Sequence, residues 1–387
     1  MPAQVVGPAP RFARTMVVAA LSHVVTSTFS ALLAVYLDRH KIPAIAVSGY
    51  ALAGSYLASV LLAGLAHRGF AVPTALFLMA LGAITLSGDS FVLLGGIAFV
   101  LGSGLFRVAI VVQIAQARPP AMSREYAFSI YTAVVNGGYI VGPFLAELVR
   151  SHFGWLWVFV AMSITAGAGF VLSMLLMGDT LPSNGQHAHA SDIESDGLKP
   201  GVALVVVLLG VALFYGISQV ASGNFALLVE KESLPIPALH GWSLKAGSLA
   251  ALHGAMVLAG SILLSLRQPS WSGTILACLG LALYAAIFIL MAGLRYPVSQ
   301  TWVVLAFAGL SAAETAVGPT LLALGSRLTS RARGLYWLAA AAGYWVSGSM
   351  GLLWERWSHR QYFSAVALAC VVVAALIAWR ARVPAVA

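Results

Sequence analysis

The sequence predicts an all-α membrane protein of twelve transmembrane helices in two pseudo-symmetric six-helix halves, and three observations carry that expectation. Of 387 residues, 60% are hydrophobic and only 9% are charged, with a mean hydropathy of +0.92. A soluble domain carries about 25% charged residues, and a chain this poor in charge cannot clothe a water-facing surface. Second, the apolar residues gather into twelve stretches near the roughly 20 residues that a helix needs to cross a hydrocarbon core. Third, one polar segment, GDTLPSNGQHAHASDIESDGLKP over 178–200, interrupts them after the sixth stretch.

The first six stretches run approximately over 14–37, 44–66, 72–88, 91–116, 126–149 and 155–177. The second six run over 201–229, 244–265, 273–293, 300–324, 334–354 and 362–380. Most connections are short, such as 38–43, 67–70 and the Gly88-Asp89-Ser90 turn. The segment 178–200 has too little apolar area to fold alone and reads as a flexible cytoplasmic linker. The expected organisation is therefore an N-terminal half over 1–177 and a C-terminal half over 201–387. The stretch from Met16 to Leu37 is too long for the apolar part of a signal peptide, so it reads as the first span.

The formal net charge of +9 does not point to nucleic acid. Its cations stand singly or in small groups at the ends of apolar runs, such as Arg11 and Arg14, or Arg380 and Arg382. Nucleic-acid binding needs a basic stripe or patch, and none is present. With both termini and the linker on one side, twelve Lys and Arg fall on that side, eight on the other, and Arg107 within a span. That bias favours cytoplasmic termini in a multi-pass protein of the cell inner membrane. Trp155, Trp157, Trp242, Trp271, Trp302 and Trp357 lie at span ends and read as interfacial anchors. Cys278 and Cys370 fall inside apolar runs and read as packing residues. His187 and His189, one residue apart in the linker, could bind a metal, but such a pair in a flexible segment more often binds none, and no metal or cofactor is expected.

Two charges sit deep in spans: Arg107 in the fourth and Glu314 in the tenth. A charge at a span centre costs about 2.5–3.5 kcal/mol on insertion scales, so it persists where it faces a cavity or a partner. The guanidinium fork grips a carboxylate bidentately, and a glutamate receives an ammonium group. The two either hold the opposite ends of a zwitterionic solute or pair with each other. His23 in the first span is a proton candidate because histidine titrates near neutral pH, and His253 in the eighth ranks behind it. Gln219 and Asn224 in the seventh span and Asn136 in the fifth are uncharged substrate-binding candidates. Tyr215 and Tyr344, with Tyr131 and Tyr336, lie deep enough to line a pocket. The chain shows no phosphate loop, zinc-ligand spacing or G-x-S-x-G elbow, so no enzyme is predicted.

Six plus six spans about a polar linker resemble the major facilitator superfamily. Gly64-Leu65-Ala66-His67-Arg68-Gly69 is similar to its loop signature, with His67 at the usual aspartate position, and Gly138-x-x-x-Gly142-Pro143 is similar to a motif of its antiporters. A finer resemblance is to the proton-dependent oligopeptide transporter branch. Ala31–Leu37, Gly102–Arg107, Ala127–Tyr131 and Phe214–Gln219 resemble segments of its first, fourth, fifth and seventh helices. Glu314, Gly318-Pro319, Arg331–Leu335 and Gly343-Tyr344 resemble its tenth and eleventh.

The resemblance implies alternating access, with substrate sites between the halves on helices one, four, seven and ten, and a glutamate at the Glu314 position that meets a substrate's amino group. Where peptide symporters carry two glutamates and an arginine in the first helix, this chain has Ala19, Ser22 and His23, and Gln219 replaces a seventh-helix glutamate. The expected function is a monomeric secondary transporter of a small peptide-like, amino-acid-like or metallophore-like solute. Protons are the expected coupling ion, carried by Glu314 and His23. A proton-driven multidrug efflux antiporter is the alternative.

Overall fold

The computed structural model describes residues 8–88, 91–120, 122, 124–177, 202–236, 243–267, 273–326 and 330–382. The expected linker at 178–200 lies outside the described residues, as do Asp89, His187, His189, Trp242 and Trp271. The described chain is almost entirely helical. Its elements are α1 Pro8–Arg39, α2 Ala44–Leu61, α3 Ala71–Leu86, α4 Val92–Ala117, α5 Arg124–Phe153, α6 Trp155–Met177 and α7 Val202–Gln219. A π-helical turn at Val220–Asn224 carries α7 into α8, Phe225–Lys231, so these form a single rod. There follow α9 Ala246–Arg267, α10 Gly273–Gly293, α11 Gln300–Ser326, α12 Ser330–Trp354 and α13 His359–Arg382.

Twelve rods thus stand on the twelve expected stretches. The hydrocarbon core offers no water to backbone N–H and C=O groups, so each crossing segment must close its hydrogen bonds internally. Ten described helical stretches are long and apolar enough to cross a membrane, and α3, at 16 residues, is a shorter apolar helix. The second stretch stops earlier than expected. α2 ends at Leu61, and a 3₁₀ turn at Ala63–Leu65 takes over around Gly64.

The chain divides into two compact units, Met1–Ser30 with Gly54–Ala190 and Ala31–Ala53 with Ser191–Ala387. The last turns of α1 and the first turns of α2 therefore belong with the second unit.

In the first unit, α3 packs against α4 and α6. Small residues allow the close approach, as expected for helices that meet without a hydrophobic driving force. A Cβ on Gly82 would lie 2.6 Å from the Phe99 backbone nitrogen, and one on Gly102 would lie 2.7 Å from the Ala75 carbonyl oxygen. Phe99 stacks on Phe29 with ring centres 4.1 Å apart. The Gly138–Pro143 stretch seats α5 on α1, where the Ser27 hydroxyl donates to the Gly138 carbonyl at 2.8 Å. α6 exposes Leu156, Trp157, Ile164, Val171 and Leu175, an apolar face that suits lipid and not water.

In the second unit, α7 packs on α12, α9 on α11, and α10 on α11 and α13. Gly49 of α2 meets Gly348 of α12 so closely that a Cβ on Gly49 would lie 2.5 Å from the Gly348 Cα. A two-stranded parallel ladder, β1 Ser233–Leu234 with β2 Val298–Ser299, ties the chain after α8 to the chain before α11.

Candidate functional site

The first unit holds Arg107 on α4, which has residues of α2 beside it. The Arg107 guanidinium carbon lies 3.6 Å from the centre of the Tyr56 ring, a cation–π contact. Arg107 Nη1 reaches the Ser59 hydroxyl oxygen at 3.4 Å, and that hydroxyl faces the carbonyls of Ser55 and Gly104 at 3.0 and 3.1 Å. Both neighbours of the guanidinium are neutral. Among the described residues, none of the ion pairs involves Arg107.

His23 stands in the same unit, within the electrostatic reach of Arg107. Its Nε2 meets the Tyr131 hydroxyl at 3.0 Å, and its ring packs edge-on against Phe106 with centres 6.2 Å apart. Gly138 makes this possible, because a Cβ there would lie 2.7 Å from the His23 Cβ. The structure therefore brings together Arg107, His23 and Tyr131, which the sequence had singled out separately. Asn136 is half-buried on α5.

The second unit holds Glu314 on α11, and its partner is His253 on α9. His253 Nε2 lies 2.9 Å from Glu314 Oε2, and His253 Nδ1 lies 2.7 Å from the Ser311 hydroxyl oxygen. The Ser311 hydroxyl donates in turn to the Phe307 carbonyl at 2.8 Å. The Phe307 ring backs the imidazole, with centres 5.5 Å apart. The side chains of His253 and Glu314 keep 18% and 27% exposure, so neither is sealed in the helix packing.

A model of the Major Facilitator Superfamily matches residues 12–352. The chain belongs to the Major Facilitator Superfamily. This is a family of membrane transporters and not of enzymes. A peptide transporter, YePEPT of Yersinia enterocolitica, is 28% identical to this chain over 131 residues; the match covers 32% of this chain and 25% of that protein. A solved transporter of the POT family in complex with 5-aminolevulinic acid superposes with a TM-score of 0.80 at 16% identity, covering 95% of each chain. Another, in complex with a thioalcohol-conjugated peptide, gives 0.81 at 16% identity over 96% of each. At this identity the two structures establish the fold.

The remaining candidates fall into two groups in this superfamily member. Tyr215 on α7 and Tyr344 on α12 come together, with ring centres 5.7 Å apart, and Tyr336 stands 6.3 Å from Tyr215. Gln219 and Asn224 bracket the π-helical turn and are buried, at 1% and 0% exposure. Gln219 Nε2 donates to the Ser48 hydroxyl at 2.7 Å and to the Ile45 carbonyl at 3.3 Å, while Asn224 Oδ1 accepts from Tyr362 at 3.1 Å. Gln219 Oε1 and Asn224 Nδ2 have no hydrogen-bond partner among the described residues. The pairing of His253 with Glu314 was not legible beforehand. The two residues lie 61 positions apart, and no local motif joins them.

Proposed function

We propose that this chain is a secondary transporter that moves a small amphoteric solute across the cell inner membrane by alternating access, coupled to protons. The solute is peptide-like, amino-acid-like or metallophore-like. Arg107 takes its carboxylate and Glu314 its ammonium group, with Tyr215, Tyr344 and Asn136 beside the path and Gln219 and Asn224 joining as the seventh rod moves. The halves 1–177 and 201–387 are the bodies that rearrange, both termini are cytoplasmic, and one chain suffices.

One observation carries this reading. Arg107 is kept inside a span against the Tyr56 ring face and the Ser59 hydroxyl, and none of the ion pairs among the described residues involves it. A cation at that depth costs several kcal/mol unless something compensates it. A solute carboxylate does so, and the planar fork suits it because two parallel N–H···O bonds fix its orientation. Glu314 supplies the opposite charge for the solute's other end. Names of similar proteins point the same way: one relative is a peptide transporter, and the solved folds were captured with a peptide conjugate and with an amino acid.

The test is a stability screen of the purified protein against dialanine, free amino acids and lipophilic cations. A ligand at 100 times its Kd stabilises the folded state by about 2.7 kcal/mol. Zwitterions should raise the unfolding temperature, and esters or N-acetyl derivatives of the same compounds should not. Stabilisation by lipophilic cations alone would replace this reading with multidrug efflux. In proteoliposomes, Glu314→Gln should abolish accumulation driven by an imposed pH gradient; an unchanged response would move the coupling site elsewhere.

A further inference from the structure

The two oxygens of Glu314 meet different surroundings. Oε2 lies 2.9 Å from His253 Nε2. A carboxylate only accepts hydrogen bonds, so that contact places a hydrogen on Nε2. Nδ1 of the neutral ring is then bare, and it lies 2.7 Å from the Ser311 hydroxyl oxygen. A hydroxyl hydrogen turns about its bond, and here it has two acceptors in reach, Nδ1 and the Phe307 carbonyl at 2.8 Å. The carbonyl sits inside α11, whose ladder already supplies it with the Ser311 N–H. Among the described residues, Ser311 is the one donor beside Nδ1. Turned that way, the serine completes a chain that a neutral imidazole satisfies throughout: Ser311 O–H to Nδ1, and Nε2–H to Oε2.

Oε1 has no hydrogen-bond partner among the described residues, and none of their ion pairs joins Glu314 to a lysine or arginine. The kind of partner at Oε2 therefore matters. A lysine or arginine there would cancel the charge of the carboxylate, and an arriving ammonium group would have to displace it. A neutral donor fixes the carboxylate and cancels nothing. Its bond is still firm, because a hydrogen bond to an ionised acceptor is roughly twice as strong as one between neutral groups.

We propose that His253 is a neutral positioning residue for Glu314, holding Oε2 and leaving Oε1 with the full negative charge to the solute's ammonium group. The role rests on the reading above, in which Glu314 receives the amine. Ser311 selects the tautomer by serving Nδ1, and the Phe307 ring backs the imidazole with centres 5.5 Å apart. Tyr284 on α10 also lies in the field of Glu314, but a phenol is uncharged at neutral pH and offers no competing cation.

Two measurements decide the proposal. The first needs no solute. In protein labelled with nitrogen-15 histidine, the His253 resonances are identified by their loss in His253→Gln. At neutral pH the wild-type ring should carry hydrogen on Nε2 alone, and the bare Nδ1 resonance should move in Ser311→Ala, where its donor is gone. A ring protonated on both nitrogens, or bare at Nε2, overturns the proposal. So does an Nδ1 resonance unmoved in Ser311→Ala.

The second measurement is thermal unfolding of three variants with and without dialanine. His253→Gln keeps a neutral N–H donor and should bind dialanine within about tenfold of the wild type. His253→Lys puts a cation against Oε2, so it should fold as stably as the wild type yet bind dialanine roughly tenfold to a hundredfold more weakly, as the loss of one charge-assisted bond requires. His253→Leu removes the donor and should lower both stability and affinity. Wild-type affinity in His253→Lys or His253→Leu overturns the role, since a purely structural histidine changes stability alone. If dialanine does not bind the wild type, the amphoteric-solute reading fails, while the histidine spectrum still upholds or refutes the neutral donor.

Discussion

Arg107→Gln separates a residue kept for a ligand from one kept for the fold, because the two roles predict different stability changes. The substitution removes a cation–π contact with Tyr56, seen at 3.6 Å, worth up to about 2 kcal/mol where it is desolvated. It also removes the Ser59 contact, which at 3.4 Å exceeds ordinary hydrogen-bond length and contributes little. Against these losses stands the relief of an uncompensated cation, about 2.5–3.5 kcal/mol at a span centre. The terms nearly cancel, so the net change should stay within about 1 kcal/mol, a shift of roughly 2–4 °C for a body of this size.

An arginine held in a buried ion pair behaves otherwise, since breaking such a pair costs about 3–5 kcal/mol. Binding should respond in the opposite way. Each charge-assisted hydrogen bond contributes about 1.5–3 kcal/mol, and every 1.4 kcal/mol is about tenfold in Kd. Loss of the fork should therefore weaken dialanine binding by roughly a hundredfold or more. The assay is thermal unfolding of the purified variant with and without dialanine. A variant that loses several kcal/mol of stability, or one that binds dialanine as the wild type does, refutes the role given to Arg107.

Further expectations rest on single contacts. Gly343→Leu forces a side chain into the α12 face that meets the Ala212 backbone on α7, and overpacking there should cost about 1–3 kcal/mol or more, read as a lower unfolding temperature or lost expression. Tyr131→Phe leaves the half-buried His23 Nε2 without its 3.0 Å partner, and the loss of one such hydrogen bond costs about 0.5–1.5 kcal/mol, measurable by the same unfolding. Lys231→Met breaks the 2.5 Å ion pair with Asp38, but the lysine side chain is 54% exposed. Surface pairs contribute about 0–1 kcal/mol, so stability and its response to salt should barely change.

The fold was legible because lipid imposes a length on every span, and twelve apolar stretches of the right length leave little freedom. The end of α2 escaped that logic, since the apolar run continues past the point where Gly64 and a 3₁₀ turn close the helix. In the site, depth alone picked out Arg107 and Glu314, because a charge in an apolar run stands out without knowledge of its neighbours. What surrounds each charge was not legible. Tyr56 and His253 reach their partners from other helices, at positions that no periodicity marks. Polar residues in spans are ambiguous for the same reason. Gln219 and Asn224 read as cavity residues, yet the structure holds them buried in contacts with Ser48, Ile45 and Tyr362.

Those buried contacts bear on where a proton can be held. At the first-helix positions where peptide symporters carry carboxylates, this chain has Ala19 and Ser22, both fully buried, and Ser22 turns its hydroxyl to the Met79 sulfur. At the seventh-helix position Gln219 bonds to Ser48 and the Ile45 carbonyl. An amide donates those hydrogen bonds at any pH, whereas a carboxylate would have to be protonated to donate even one. These positions have become part of the packing, and none of them carries an ionisable group. His23 stands within the electrostatic reach of Arg107 and meets the Tyr131 hydroxyl, so it has no carboxylate to share a proton with in this contact. Glu314 meets an imidazole instead, 2.9 Å away, so of these helix positions it is the one whose neighbour can itself accept or donate a proton.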